Sequence, residues 1–225
     1  MVLARSCALT AVSAGLAPWL QCKDNPVRQR WREFCYEAPA KRGKARQAVV
    51  VETCFAPLLA WVLSRWEGTQ LALALEATPL GDRLTVLVIR VVYRGCAIPM
   101  AWTVWTAHVE KAWRPAWLRM LRQRYRAVPP PWPVIVLADR GLYARGLFRR
   151  ITRLGWHPFL RLHSGGTFRP TGARQGVPLK TVGPPPGCQG AGTGVAFKGR
   201  QRRLRCTLRA RWEPGYPDPW LIVTD

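Results

Sequence analysis

Three apolar runs between residues 71 and 106 are separated only by short turns. Residues 71–76 (LALALE) alternate with the period of a strand, residues 84–93 are rich in Val and Ile, and residues 97–106 are again strand-like. Turn sequences at 79–82 and 94–95 join the runs. Consecutive strands joined by short turns form an antiparallel meander, so this segment limits the chain to folds that contain one.

The periodicity changes after this meander. The sequence predicts a helix over 111–127, a short apolar strand over 134–138 (VIVLA), a helix over 142–154 and a strand over 158–162. Three antiparallel strands followed by helix–strand crossovers predict an α/β protein with a ribonuclease H-like mixed sheet. That topology carries one acid on its first strand and a second at the end of its fourth. Those positions hold Glu76 and Asp139.

This order divides the chain into three predicted regions. Residues 1–68 form an N-terminal helical region that we expect to bind DNA, and residues 69–162 form a partial ribonuclease H-like catalytic core. Residues 163–225 form a β-rich basic insertion with two or three short strands, followed by the start of a return strand. The first 20 residues resemble a signal peptide, but we interpret them as an amphipathic or buried helix.

The charge is strongly basic and unevenly distributed. The formal net charge is +23, and residues 84–212 contain 24 Lys and Arg against two acids, Glu110 and Asp139. Arginine binds phosphate oxygens bidentately, so the composition favours nucleic acid as the partner. A membrane surface is the weaker alternative, because no basic amphipathic anchor is present. The GAGTG stretch at 190–194 does not predict a dinucleotide site, because neither the required strand nor the helix flanks it.

The cysteines and the basic residues complete the set of candidates. The seven cysteines lack zinc-site spacing, which indicates free thiols in a reducing cytoplasm. Arginines bind nucleic-acid backbones and aromatic rings stack on displaced bases, although for any single arginine a solvated surface charge is the alternative. The candidate DNA-binding residues are Arg28, Arg32, Arg140, Arg145, Arg149, Arg200, Arg202, Arg203 and Trp212.

The two acids have alternative interpretations that the sequence leaves open. Glu76 is either a solvated acid on an amphipathic strand or a residue held for chemistry, because a lone buried carboxylate is costly. Asp139 is either a metal ligand or the N-cap of the following helix.

Two long stretches resemble a known family. LALALEATPLGDRLTVLVIRVVYRGCAIPMAW and VIVLADRGLYARGLFRRITRLGWHPFLRL resemble bacterial insertion-sequence transposases of the IS4 type, which carry a DDE nuclease domain. The similarity includes DNPVRQRWREFCYEA and so covers most of the chain.

The resemblance implies a function, a cofactor and a partner. The function is binding of transposon-end DNA with metal-dependent DNA cleavage and strand transfer, in which Glu76 and Asp139 are catalytic and hold Mg²⁺ or Mn²⁺. The partner is double-stranded DNA, as transposon ends and as target, and no small-molecule substrate or membrane is expected. The resemblance allows a homodimer and implies a cytoplasmic, nucleoid-associated location in a bacterium.

Two departures from the family pattern affect the expected chemistry. The family's first acid is Asp, whereas Glu76 has an extra methylene that moves its carboxylate by roughly 1.5 Å. The family's third acid, a Glu on a helix after the insertion, would lie beyond Asp225, so we expect a chain truncated before it. These departures predict a transposase fragment with defective chemistry. The alternatives are a non-catalytic basic DNA-binding remnant and, third, an RNA-binding component of a ribonucleoprotein.

Overall fold

The structure, a computed structural model, describes residues 8–43, 46–107, 113–197 and 203–225. The chain divides into two compact units, Met1–Thr53 and Cys54–Asp225. The first unit contains helices α1 (Leu9–Leu16) and α2 (Asp24–Phe34), which contact each other. Val12 and Val27, one from each helix, are buried. The arginines of α2 lie on its exposed side, as the spacing of its apolar residues predicts.

Helix α3 (Val51–Leu63) begins at the boundary, and most of it belongs to the second unit. Phe55 and Leu59 of α3 are fully buried in the core of that unit.

The second unit is built on one ten-stranded sheet, mixed but mostly antiparallel. Its strands lie in the order β3-β2-β1-β4-β5-β10-β9-β8-β6-β7. Strands β1 and β4 are parallel, as are β4 and β5, and every other neighbouring pair is antiparallel. The strand bounds are β1 (Leu71–Leu80), β2 (Leu84–Tyr93), β3 (Cys96–Thr106), β4 (Val134–Ala138), β5 (His157–Arg161), β6 (Thr167–Pro170), β7 (Val177–Pro178), β8 (Gln189–Ala196), β9 (Leu204–Arg211) and β10 (Trp220–Thr224).

Helices α4 (Trp113–Tyr125) and α5 (Arg145–Arg153) connect β3 to β4 and β4 to β5, and they contact each other. Their apolar residues pack with alternate residues of the central strands, so this part of the core lies between α4, α5 and one face of the sheet. The buried strand residues include Leu73, Leu75, Val136 and Leu160. The meander and the two crossovers therefore occur in the order that the sequence predicts.

Two local features differ from the sequence-based expectation. Helix α5 begins at Arg145 rather than at residue 142, because Arg140–Leu142 form a 3₁₀ turn. Four strands, β6 to β9, occur in the insertion instead of two or three. The glycine-rich stretch 190–194 is part of β8, and a Cβ at Gly194 would lie 2.3 Å from the carbonyl oxygen of Arg169. Glycine is therefore what lets β8 approach β6.

In residues 8–43, 46–107, 113–197 and 203–225, no helix is long and apolar enough to cross a membrane.

Candidate nucleic-acid interface and acidic pair

The parallel register of β1 and β4 sets Glu76 and Asp139 side by side. Leu75 is aligned with Ala138, and the two acids are the next residues along their strands. Asp139 keeps an extended backbone, so the alternation of side chains continues through it. Neighbouring strands lie about 4.8 Å apart, and aligned residues point to the same face. Because Leu75 and Ala138 are buried against the helices, both acids point to the opposite face.

Glu76 is held by two neighbours on its own face. Its carboxylate forms an ion pair with the Arg90 guanidinium at 3.1 Å. It also accepts a hydrogen bond from the Thr78 hydroxyl at 3.1 Å. Arg90 is aligned with Ala74, two residues before Glu76, so it reaches the acid diagonally across β1 and β2. The side chain of Glu76 is 46 % exposed. Glu76 is therefore half exposed and paired with a cation, so it avoids the cost of a lone buried carboxylate.

Asp139 is held from the other side, by strand β5. Arg161 donates to its Oδ1 at 3.2 Å, and the side chain of Asp139 is 66 % exposed. The same guanidinium lies 4.5 Å from the centroid of the Trp220 ring. The carboxylate makes no capping hydrogen bond to the turn that follows, and the residue before α5 is Ala144. The N-cap interpretation of Asp139 therefore does not describe its contacts.

The four residues form a row of charges across the sheet, which we call the charge row: Arg90, Glu76, Asp139 and Arg161. Two adjacent carboxylates offer the oxygen ligands that Mg²⁺ and Mn²⁺ prefer, so the donor set fits such an ion. Each carboxylate is paired with a guanidinium group, Glu76 with Arg90 and Asp139 with Arg161. No third His, Cys, Asp or Glu joins the pair in the described part of the chain.

The face that carries the charge row continues onto the insertion strands, and we call it the open face. Arg161 is aligned with Ile222 of β10, and Ile222 is aligned with Arg209 of β9. Arg205, Arg209 and Arg211 alternate with buried residues along β9, so all three arginines point to the open face and are exposed. This face therefore presents cations on both sides of the acidic pair.

At its β3 edge the open face is covered by α3. The Phe55 ring lies 4.6 Å from the ring of Trp102, which is aligned with Val88, the partner of Glu76. Towards the centre the face is accessible, and Ile135 of β4 is 40 % exposed. The acidic pair thus lies between α3 and the arginines of β9.

The sequence-predicted arginines lie on several different elements of the structure. Arg28 and Arg32 are exposed on α2 and belong to the first unit. Arg140 follows Asp139 directly and is exposed, whereas Arg145 and Arg149 lie on α5, on the helical side of the sheet. Arg203 is exposed just before β9.

Three further predicted residues belong to the predicted insertion, residues 163–225. Arg200 and Arg202 lie outside the described residues. The indole of Trp212 is half-buried and donates to the carbonyl oxygen of Tyr216 at 2.8 Å, so it stabilises a turn. Arg161, Arg209 and Trp220 also lie near the acidic pair, and local sequence did not single them out. For β9 the signal was present, because LRCTLRAR alternates apolar and basic residues with the period of a strand.

Two other groups near these strands have perturbed ionisation. Burial raises the pKa of the Cys206 thiol on β9 to about 11. Burial also raises the pKa of Tyr143, two residues before α5, well above its usual range. Both groups are therefore neutral at physiological pH and add no charge to the site.

His157 and Asp225 lie away from the acidic pair. His157 Nδ1 lies 3.1 Å from Oδ2 of Asp225. His157 begins β5 and Arg161 ends it, which separates the two residues by about 13 Å along the strand. Asp225 therefore lies apart from the charge row.

Comparison with known proteins gives a distant likeness to a solved structure. No family model and no curated protein matches the chain. Among solved structures, the chain is similar to a piggyBac transposase in a cryo-EM structure of its synaptic complex with hairpin DNA, with a TM-score of 0.39 and 9 % identity. The match covers 71 % of this chain and 33 % of that one, so the chain spans about a third of the length of that transposase. A likeness of this degree assigns neither a family nor a function.

Proposed function

We propose that the chain binds double-stranded DNA as a transposase of the bacterial IS4 type, on a ribonuclease H-like core whose acidic pair is Glu76 and Asp139. The observation that carries the proposal is the register of β1 and β4, which brings the two acids together on the face that carries the β9 arginines. A surface of this sign suits a phosphate backbone.

The strand order supports the ribonuclease H-like part of the proposal. The meander is β3-β2-β1, and β4 and β5 follow it in parallel with β1. The insertion then adds its strands beyond β10, which returns to pair with β5. Acids on the first and fourth strands occupy the positions at which that topology carries its metal ligands.

The chemistry proposed for the acidic pair depends on a divalent ion. Mg²⁺ or Mn²⁺ held by Glu76 and Asp139 would stabilise the developing charge of a phosphoryl transfer. Arg90 and Arg161 orient the two carboxylates and neutralise them in the absence of such an ion. The arginines of β9 bind backbone phosphates beside the pair. We propose that cleavage by this chain is weak, because both carboxylates are already paired and Glu76 is longer than the family's Asp.

Duplex binding is tested by fluorescence anisotropy with a labelled short duplex. We expect binding at low salt with or without Mg²⁺, because arginine supplies the charge. The double variant Glu76→Gln/Asp139→Asn should bind at least as tightly as the wild type, because it removes two negative charges from the open face. Absence of duplex binding at low salt would refute the proposal.

The ion pairs of the charge row favour a second candidate, a non-catalytic DNA-binding protein. The test is nicking of supercoiled plasmid with Mg²⁺ or Mn²⁺ by the wild type and by Glu76→Gln/Asp139→Asn. Equal, background nicking by both proteins supports the non-catalytic candidate. If the wild type nicks the plasmid and the variant does not, the non-catalytic candidate is excluded and the proposed nuclease activity is supported.

The resemblance extends the proposal to the rest of the chain. Residues 1–68 would contribute to DNA binding through Arg28 and Arg32, and the chain would act as a homodimer. Loss of duplex affinity in Arg28→Gln/Arg32→Gln tests the first point. Sedimentation equilibrium tests the second, since a monomer at all concentrations contradicts it.

A further inference from the structure

A groove lies between the two crossover helices, on the opposite side of the sheet from the charge row. Its volume is about 500 Å³, and residues of α4 and α5 line it. Pro115, Leu118 and Leu121 of α4 and Leu154, which follows α5, supply its apolar surface. Pro115 is exposed, and Leu118 and Leu154 are half-buried. A groove of this size with accessible apolar surface is large enough to hold a ligand.

Four arginines line the same groove, which we call the arginine groove: Arg119 and Arg122 of α4, and Arg150 and Arg153 of α5. Residues three apart on a helix lie on the same side, so each helix contributes one pair. All four side chains are exposed, and none of them has an ion-pair partner in the part of the chain that the structure describes. The one acid in the sequence between residues 113 and 156 is Asp139, which lies on the open face.

The charge and the apolar surface together indicate the kind of partner. Guanidinium groups concentrated in one groove attract an anionic partner, and carboxylates between them would relieve the repulsion within each pair. Duplex DNA presents phosphates and base edges, which would leave the apolar surface of the groove uncovered. Among the described residues that line the groove none is aromatic, so an unpaired base has no ring to stack on. A peptide that carries both carboxylates and apolar side chains suits both features.

We propose that the arginine groove binds an acidic amphipathic helix of another protein. Its apolar side chains pack on Leu118 and Leu154, and its flanking Asp and Glu residues pair with the arginines of α4 on one side and of α5 on the other. Helices pack into the grooves that other helices present, and helix-in-groove recognition uses apolar residues at positions i, i+3, i+4 and i+7. This interaction goes beyond DNA binding and does not depend on it.

The position of the groove allows both partners to bind at once. Helices α4 and α5 pack on one face of the sheet, whereas the charge row and the arginines of β9 point to the other. A helix in the arginine groove therefore leaves the acidic pair accessible.

The experiment measures by fluorescence anisotropy how the full chain binds three labelled peptides of about 14 residues, roughly four helical turns. The first peptide repeats leucine at i, i+3, i+4 and i+7 and carries glutamate beside this stripe. The second has the same composition in scrambled order, and the third has glutamine in place of glutamate. We expect the first peptide to bind at least about tenfold more tightly than either control. Equal affinity for the first two peptides would overturn the proposal, because charge alone would then explain the binding.

A double variant locates the binding site. Arg119→Gln/Arg150→Gln removes one exposed charge from each side of the groove and should weaken binding of the first peptide about 2- to 25-fold. Arg83→Gln/Arg174→Gln is the matched control, because both arginines are exposed, lie outside the helices and strands, and do not line the groove. We expect the control to retain the wild-type affinity for the peptide. Equal weakening by the two double variants would also overturn the proposal.

The same two double variants distinguish an acidic helix from nucleic acid as the occupant. The groove variant should lower duplex affinity no more than the control variant does. If it weakens duplex binding more than the control and peptide binding no more than the control, the groove is a nucleic-acid surface and the proposal fails.

Discussion

Removing two arginines from β9 should change the salt dependence of DNA binding by a calculable amount. Arg205 and Arg209 are exposed on the open face and lie four residues apart, about 13 Å along the strand. At that spacing each guanidinium can contact its own phosphate. Each phosphate contact contributes about 0.9 to the slope of log affinity against log salt on duplex DNA, so Arg205→Gln/Arg209→Gln should lower the slope by about 1.8.

The slope is measured by anisotropy with a short duplex between about 50 and 200 mM salt. Over this fourfold change the affinity of the wild type should fall about 12-fold further than that of the variant. Arg149→Gln/Arg153→Gln removes the same charge from the exposed side of α5 and is the matched control. We expect the control to keep the wild-type slope. An unchanged slope in the β9 variant, or an equal change in the α5 variant, would refute the assignment of the open face.

Three further predictions concern the proposed metal ligands, the sheet and the buried thiol. Arg161→Gln removes the partner of Asp139 and should tighten Mn²⁺ binding, measured by electron paramagnetic resonance, and Asp139→Asn should abolish this gain. Gly194→Ala would force β8 away from β6 at a cost of about 1–3 kcal/mol and lower the melting temperature by several degrees, whereas Gly192→Ala, with open space around its Cβ, should cost less than 1 kcal/mol. Because the folded chain keeps the Cys206 proton until about pH 11 and the unfolded chain loses it near pH 9, the free energy of unfolding should fall as the pH rises from 9 to 11, and Cys206→Ala should remove this part of the decrease. Chemical denaturation across that range decides the last point, and a flat profile would contradict it.

The sequence alone predicts that Glu76 and Asp139 are neighbours, and the register of β1 and β4 agrees. Glu76 lies within a strand of clear alternation, Asp139 directly follows a short apolar strand, and the order of helices and strands restricts how these strands can be arranged. Once β1 and β4 are neighbours in parallel, the position of each acid within its strand determines that they meet. Local pattern and topology agree here, so the prediction needed no knowledge of side-chain contacts.

The partners of the acids could not be predicted in the same way. Arg90 lies on β2 and Arg161 on β5, and each is one of many arginines in the sequence. Which of them meets an acid depends on strand alignment, and a shift of one residue turns a side chain to the other face. Trp220 was harder still, because β10 reaches Arg161 only after the whole insertion has been added to the sheet. These contacts depend on distant pairings that local sequence does not encode.

The pairing of each acid in the charge row with an arginine on its outer side has a consequence for how the surface receives a polyanion. Ion pairs as exposed as these contribute only about 0–1 kcal/mol each, so they are easily exchanged. A phosphate that takes the guanidinium of Arg161 releases the carboxylate of Asp139 without changing the number of ion pairs. Under the proposed function, arrival of the nucleic acid would uncover the acid at the moment when a divalent ion, attracted by the phosphate, comes within its reach. Before that moment the surface shields its own negative charges.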